Sequence, residues 1–169
     1  MAGLWVVLAI LAALWTAVAP RPLPPLEGPV DRIVVDKSDR TLSLIEDGEA
    51  VRVYPVGLGF APTGDKEREG DGRTPEGVFR IDRLNGESRF HLSLGIDYPQ
   101  PEDRARAARG DHSPGGDIFI HGQPSEIGRF GDRARLKGDW TAGCIAVTNA
   151  NVEEIWRVAG IGTVVEIVP

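Results

Sequence analysis

The sequence predicts an α+β, β-rich domain, a mixed β-sheet or sandwich-like architecture with two short helices, and three observations carry that prediction. Short runs rich in Val, Ile and Leu recur between clusters of Gly, Pro and Asp, as half-buried strands between turns do. Only two stretches, near positions 101–109 and after position 148, carry helix signals. Strands and helices do not alternate regularly, which argues against a parallel βαβ sheet.

The elements follow in order. Ile33, Val34 and Val35 form a first strand, and residues 41–46 form a second with Leu42 and Leu44 on one face. Asp47-Gly48 then leads into a third strand over 51–56; Asp-Gly between two such runs is a hairpin signature. Residues 57–73 combine repeated glycines with Asp65-Lys66-Glu67-Arg68-Glu69 and are expected to be an exposed loop. Gly57 and Gly59 lack the third glycine and the following helix of a dinucleotide fingerprint. Thr74-Pro75-Glu76-Gly77 turns the chain into a strand over 78–84, with another over 90–94. A helix is expected from Pro101 to Arg109, with proline in its first turn, Gly110 at its end and Arg104, Arg106 and Arg109 on a solvated face. Ser113-Pro114-Gly115-Gly116 makes a turn, and residues 117–121 a short buried strand ending on His121. The polar residues 123–139 read as a connection or lid. Asn149 or Asn151 is expected to cap a helix that places Val152, Ile155, Trp156 and Ala159 on one face. Gly160 and Gly162 end it, and residues 163–168 close the domain as a β-branched strand.

A chain of 169 residues with 41% apolar and 26% charged side chains suits one well-cored globular domain. Its net charge of -6, with no basic stripe, argues against nucleic acid as a partner. The expected organisation has three parts. Residues 1–19 are a secretory signal ending in Ala17-Val18-Ala19 or, alternatively, an uncleaved membrane anchor approaching the ~20 apolar residues that span a bilayer. Residues 20–29 are a proline-rich spacer, and residues 30–169 the catalytic domain. The expected location is the cell envelope or periplasm, with membrane contact through residues 1–19.

Cys144 is the single cysteine, within Trp140-Thr141-Ala142-Gly143-Cys144-Ile145-Ala146-Val147. On residue type alone a lone cysteine is more often a small buried hydrophobe. In an exported chain, however, it has no internal disulfide partner, and an unused thiol is a liability. Attack on an acyl carbon requires thiolate, so the thiol needs a base. Of His91, His112 and His121, only His121 ends a buried strand and precedes a glycine that allows other segments to approach. Gly143 beside Cys144 permits a tight turn whose backbone N–H groups would hold an oxyanion. With no Asp or Asn beside His121, the Gly122 carbonyl is the candidate group to fix the imidazole. One Cys and scattered His residues lack the paired spacing of a metal site, and Asp139, Glu153 and Glu154 read as surface or cap residues.

At these residues the sequence resembles the YkuD-type L,D-transpeptidases, also grouped as the ErfK/YbiS/YcfS/YnhG family. That family's motif is a histidine, a variable stretch, Ser/Thr-His-Gly-Cys, a hydrophobic residue, often Arg, and an Asn soon after. His121, Thr141, Gly143-Cys144-Ile145 and Asn149 match it. Gly72-Arg73-Thr74-Pro75-Glu76-Gly77-Val78-Phe79 is similar to the family's Thr-Pro-x-Gly turn, and the likeness covers most of residues 30–169. Ala142 stands where most members have the second histidine and Ala146 where many have arginine, and His121 and Cys144 lie further apart than is common. These departures are similar to a YafK-like branch reading Trp-Thr-x-Gly-Cys-Ile-Ala-Val, some of whose members look more like hydrolases of lipoprotein–peptidoglycan links.

The resemblance implies cell-wall remodelling by acyl transfer on peptidoglycan stem peptides, with no metal or organic cofactor. Cys144 would be the nucleophile, His121 the general base and acid, the Gly122 carbonyl its orienting group and Gly143 an oxyanion donor; Thr141 and Trp140 would contact substrate. One alternative is a hydrolase of the same fold, with an envelope lipoprotein as a further partner. Another, of a different class, is a non-catalytic wall-binding domain; an ordinary thiol pKa at Cys144 would fit that reading, and a depressed one the enzyme.

Overall fold

A computed structural model describes residues 23–124 and 138–169. The expected signal or anchor over 1–19, the start of the spacer and most of the expected lid lie outside the described residues.

The domain is built on one eight-stranded mixed sheet, carried by β1 (Arg32–Asp36), β2 (Thr41–Glu46), β3 (Glu49–Pro55), β4 (Gly77–Ser88), β5 (His91–Ile96), β6 (Phe119–His121), β7 (Ile145–Ala146) and β8 (Val164–Val168). Two helices, α1 (Pro101–Arg109) and α2 (Asn149–Val158), complete it. The strand order is β3-β2-β1-β8-β4-β5-β6-β7. β1, β2 and β3 form the expected antiparallel meander. Its second turn places Asp47 and Gly48 both at positive φ, 52° and 81°, the conformation that makes Asp-Gly a hairpin signal. The closing strand β8 inserts centrally, parallel to β1 and antiparallel to β4.

Alternation places Ile33, Val35, Leu42, Leu44, Ile81, Leu94, Ile120 and Ile145 on the buried side of the sheet. Val152, Ile155 and Val158 of α2 pack into that core, with Trp156 partly buried against it. The cap of α2 differs from expectation: Thr148 is the N-cap and its Oγ1 accepts the Asn151 N–H at 3.1 Å. The Asn149 carboxamide is engaged elsewhere, its Oδ1 accepting the Gln123 N–H at 2.7 Å. α1 has the expected bounds, and Gln100 and Asp103 close a capping box at its start.

The loop over 57–73 is not an exposed tether. Lys66 is 2% exposed, and its ammonium donates to Asp71 Oδ1 at 2.8 Å and to the Arg68 carbonyl at 3.1 Å. Asp71 also accepts the N–H groups of Glu67, Arg68 and Arg73. Burial opposes its ionisation, yet these donors hold its carboxyl down at about 2. Buried Lys37 ties the flanks of this loop, donating to the Gly64 and Thr74 carbonyls and to Glu76. Charge strings read as solvated, but a charge that finds a partner and backbone donors is able to sit inside.

Other charged side chains expected at the surface are likewise engaged. Arg106 bonds to Asp103 and the Lys66 carbonyl and pairs with Asp65. Glu154 joins Arg52 and Tyr54 of β3 to α2.

Candidate active site

β6 and β7, the last two strands in the order of the sheet, and a strap from the 57–73 loop position the Cys144 segment. β7 lies parallel to β6, with Ile120 opposite Ile145 and His121 opposite Ala146. Extending that register back by one residue sets Cys144 beside Phe119. Side chains alternate across a strand, so Phe119, His121, Cys144 and Ala146 share one face, opposite the core face of Ile120 and Ile145. Cys144 and His121 are therefore diagonal neighbours on adjacent strands.

On the other edge, residues 57–60 strap the segment down. Gly57 and Ala146 exchange backbone bonds at 2.9 and 2.8 Å; the Thr141 N–H donates to the Leu58 carbonyl, and the Phe60 N–H to the Thr141 carbonyl. A Cβ on Gly59 would collide with the Gly72 carbonyl and lie 3.1 Å from Gly143 Cα. This close approach, rather than phosphate binding, explains the Gly-x-Gly. Asp139 reinforces the strap, accepting the Leu58 N–H at 3.0 Å and pairing with Arg40, so it is a structural clamp and not a surface carboxylate.

The turn before Cys144 is tight. Thr141 is buried; its hydroxyl donates to the Cys144 carbonyl at 2.7 Å and accepts the Gly143 N–H at 3.1 Å. The Thr141 hydroxyl thus builds the turn, and the Gly143 N–H is bonded within it. Gly143 has φ 137°, and a Cβ there would come within 2.7 Å of the Arg73 carbonyl, so only glycine suits this position.

His121 is 3% exposed. Its Nδ1 lies 2.7 Å from the Gly122 carbonyl. A carbonyl only accepts, so Nδ1 carries the proton and Nε2 keeps its lone pair. Phe90 and Trp140 enclose the ring, with centroids 4.5 and 5.9 Å away. Trp140 thus covers the histidine and packs on Gly57, its Nε1 3.3 Å from where a Gly57 Cβ would lie. Phe90 was not legible as a site residue, because only the turn between β4 and β5 brings it here. His91 instead pairs with Glu153 at 2.7 Å, and His112 packs against Gly110 at the end of α1.

Cys144 is half-buried, and its Sγ donates to the Asp117 carbonyl at 3.4 Å. Burial pushes the thiol up from its ordinary value, against the Phe119 amide, which favours thiolate. Burial also pushes the His121 imidazole down, against its bond to Gly122. Both shifts favour a neutral thiol and a neutral imidazole. The depressed thiol expected of an enzyme is not what burial sets here, so an attacking Cys144 would have to pass its proton to His121 during the attack itself. Ala142 is exposed beside the turn. Among the described residues no group of three His, Cys, Asp or Glu side chains is placed to hold a metal ion.

Comparison with known proteins agrees with this architecture. Residues 30–167 match the YkuD family, the L,D-transpeptidase catalytic domain. YafK of Escherichia coli K12, named provisionally as an L,D-transpeptidase, is 29% identical over 131 residues, covering 74% of this chain and 45% of its own length. The chain thus spans about half the length of that relative. Among solved structures, the helical cell shape determining protein Pgp2 of Campylobacter jejuni is similar with a TM-score of 0.60 and 25% identity, over 92% of this chain and 54% of that one. The L,D-transpeptidase of Xylanimonas cellulosilytica aligns with a TM-score of 0.52 and 21% identity, over 88% of this chain and 65% of that one.

Proposed function

The chain belongs to the YkuD family of L,D-transpeptidase catalytic domains, and we propose from that premise that Cys144 is its acyl-accepting nucleophile, acting on peptidoglycan stem peptides in the cell envelope. The observation that carries this reading is the pairing of β6 with β7, which places the single thiol and a histidine of fixed tautomer on one face.

In the proposed reaction, Cys144 Sγ attacks the carbonyl carbon at the L-centre of a diamino-acid residue while its proton passes to His121 Nε2. The Gly122 carbonyl holds the imidazole orientation and stabilises the imidazolium formed. The Cys144 N–H is the candidate oxyanion donor, joined by Gly143 where substrate displaces its bond to Thr141. The C–N bond then breaks, His121 returns the proton to the departing D-amino acid amine, and a thioester remains. An acceptor amine attacks the thioester, its proton goes to His121, and the thiol is restored; water in the amine's place gives hydrolysis. Trp140 shields the imidazole and borders the substrate. The biological role is cell-wall remodelling with an effect on cell shape.

The test is mass spectrometry of the purified chain after incubation with a stem tetrapeptide and, separately, a carbapenem. A covalent adduct on Cys144, absent in Cys144→Ala, is expected, together with release of the terminal D-residue. No adduct with either reagent would refute the nucleophile. New cross-links against free tripeptide among the products distinguish transfer from hydrolysis.

A further inference from the structure

The same face of the sheet carries a charged side chain in register with the thiol. Arg83 on β4 lies opposite Gly95 on β5, and Gly95 lies opposite Phe119 on β6. Phe119 in turn stands beside Cys144. The four residues thus form one row across the sheet. Gly95 is what lets the row work: a Cβ there would come within 2.5 Å of Arg83 Cγ, 2.6 Å of its Nε and 3.0 Å of the Phe119 ring. Without it, Arg83 lies across β5 and its guanidinium stacks on Phe119, 4.7 Å from the ring centroid. Arg83 also donates to Asp117 Oδ1 at 3.1 Å, and the carbonyl of Asp117 is the one touching Cys144 Sγ. Arg83 Nε is buried and makes no hydrogen bond among the described residues.

This pinned guanidinium lines an open polar groove of about 540 Å³ that runs past Asp117 and also holds Arg104, Glu69, Asp82 and Asp97. Two cations against four carboxylates suit neither a bare anion nor a simple cation. They suit a zwitterion, whose carboxylate meets a planar, always-charged fork and whose ammonium meets the acids.

Building on the reading of Cys144 as acyl acceptor, we propose that Arg83 is a specificity residue that binds the carboxylate of a zwitterionic α-amino-acid head, the free end of a stem diamino acid, in the groove beside the thiol. Stacking on Phe119 and pairing with Asp117 hold the guanidinium in one orientation before substrate arrives, so little side-chain freedom is lost on binding. The reacting carbonyl and the charged head of the same residue would then be read by two adjoining parts of one row.

The experiment measures binding in the Cys144→Ala background, where no turnover occurs, by calorimetry with three stem tripeptides. One has a free diamino-acid head, one has that carboxylate amidated, and one has that ammonium acetylated. Both modifications are expected to weaken binding, amidation by about tenfold, the scale of one hydrogen bond between charged groups. Adding Arg83→Gln should make the free and amidated peptides bind alike while leaving the penalty for acetylation; Arg83→Lys should restore part of the preference. Equal binding of free and amidated peptides before the arginine is changed, or a preference that survives Arg83→Gln, would overturn the assignment. Because binding is read without the nucleophile, a native chain that shows this preference yet forms no thioester refutes the reading of Cys144 and supports that of Arg83.

Discussion

At the scale of single residues, burial leaves thiol and imidazole both uncharged. The thiol of Cys144 is pushed up and the imidazole of His121 down, each mainly by loss of solvent. A thiolate made in advance would react with an alkylating agent well below neutral pH. Here the rate of Cys144 alkylation is expected to keep rising past the ordinary thiol value, with no acidic plateau, followed by mass against pH; a plateau near pH 5 would contradict the neutral pair. Stability follows the same shifts. A histidine whose folded pKa lies below its unfolded value binds fewer protons when folded, so its contribution is full above about 6.5 and is lost as pH falls. His121→Gln should therefore flatten part of the acid limb of the urea midpoint below about pH 6.5.

The residue scale also shows what was readable in advance. Cys144, His121 and the carbonyl of Gly122, the proposed nucleophile, base and orienting group, stand out in the chain because such roles draw on residue type and immediate neighbours. Thr141 and Gly143, expected to meet substrate and an oxyanion, are bonded to one another inside the turn. Their bonds to one another depend on the turn's dihedral angles, which a residue pattern leaves open.

At the scale of elements, the Cys144 segment is a two-residue strand held by neighbours on both edges. β6 supplies a parallel ladder, and residues 57–60 supply the strap. Gly59→Ala puts a methyl group against the backbone of Gly72, which has no flexible side chain to yield. The expected result is a loss of about 2 kcal/mol in urea unfolding, typical of overpacking, together with slower acylation of Cys144. Thr148→Ala is the comparison. It removes the cap of α2 and should cost about 1 kcal/mol, with acylation unchanged because the cap does not touch the turn. Equal effects of the two changes on acylation would mean that the strap has no special part in shaping the site. β1, β2 and α1 were read well because period-two alternation, Asp-Gly and a first-turn proline are local signals. β4 extends beyond its expected end to Ser88, since pairing with β5 continues past the last apolar alternation.

At the scale of the whole molecule, a buried ion pair holds together the loop that reaches the site. The side chains of Lys66 and Asp71 are 3% and 9% exposed, and their loop reaches Gly143 through the Arg73 carbonyl and Ser113 through the Glu69 N–H. Removing one partner strands the other charge. Lys66→Met should cost about 3 kcal/mol, and the double change with Asp71→Leu less than that, since no unpaired ion remains. Thermal or urea unfolding checks both; a double variant weaker than Lys66→Met would contradict the pairing. The Asp71 carboxyl is held at about 2, below its ordinary 3.8. Its contribution to stability is therefore complete above the ordinary value and disappears as pH falls toward the lower one.

The sequence by itself determined the β-rich class, the order of most elements and the family, and it singled out the thiol and the histidine that we propose act together. Each of these is written in neighbouring residues, through alternation, turn chemistry and a short motif. Only the tertiary structure decided that Lys66 and Asp71 are buried, that Asp139 clamps the strap, that Phe90 walls the histidine and that Arg83, Gly95 and Phe119 form a row ending at Cys144. These facts depend on strand pairing and loop packing between segments far apart in the chain. Pairing register fixes which side chains share a face, and neither periodicity nor composition encodes which distant strand becomes the neighbour.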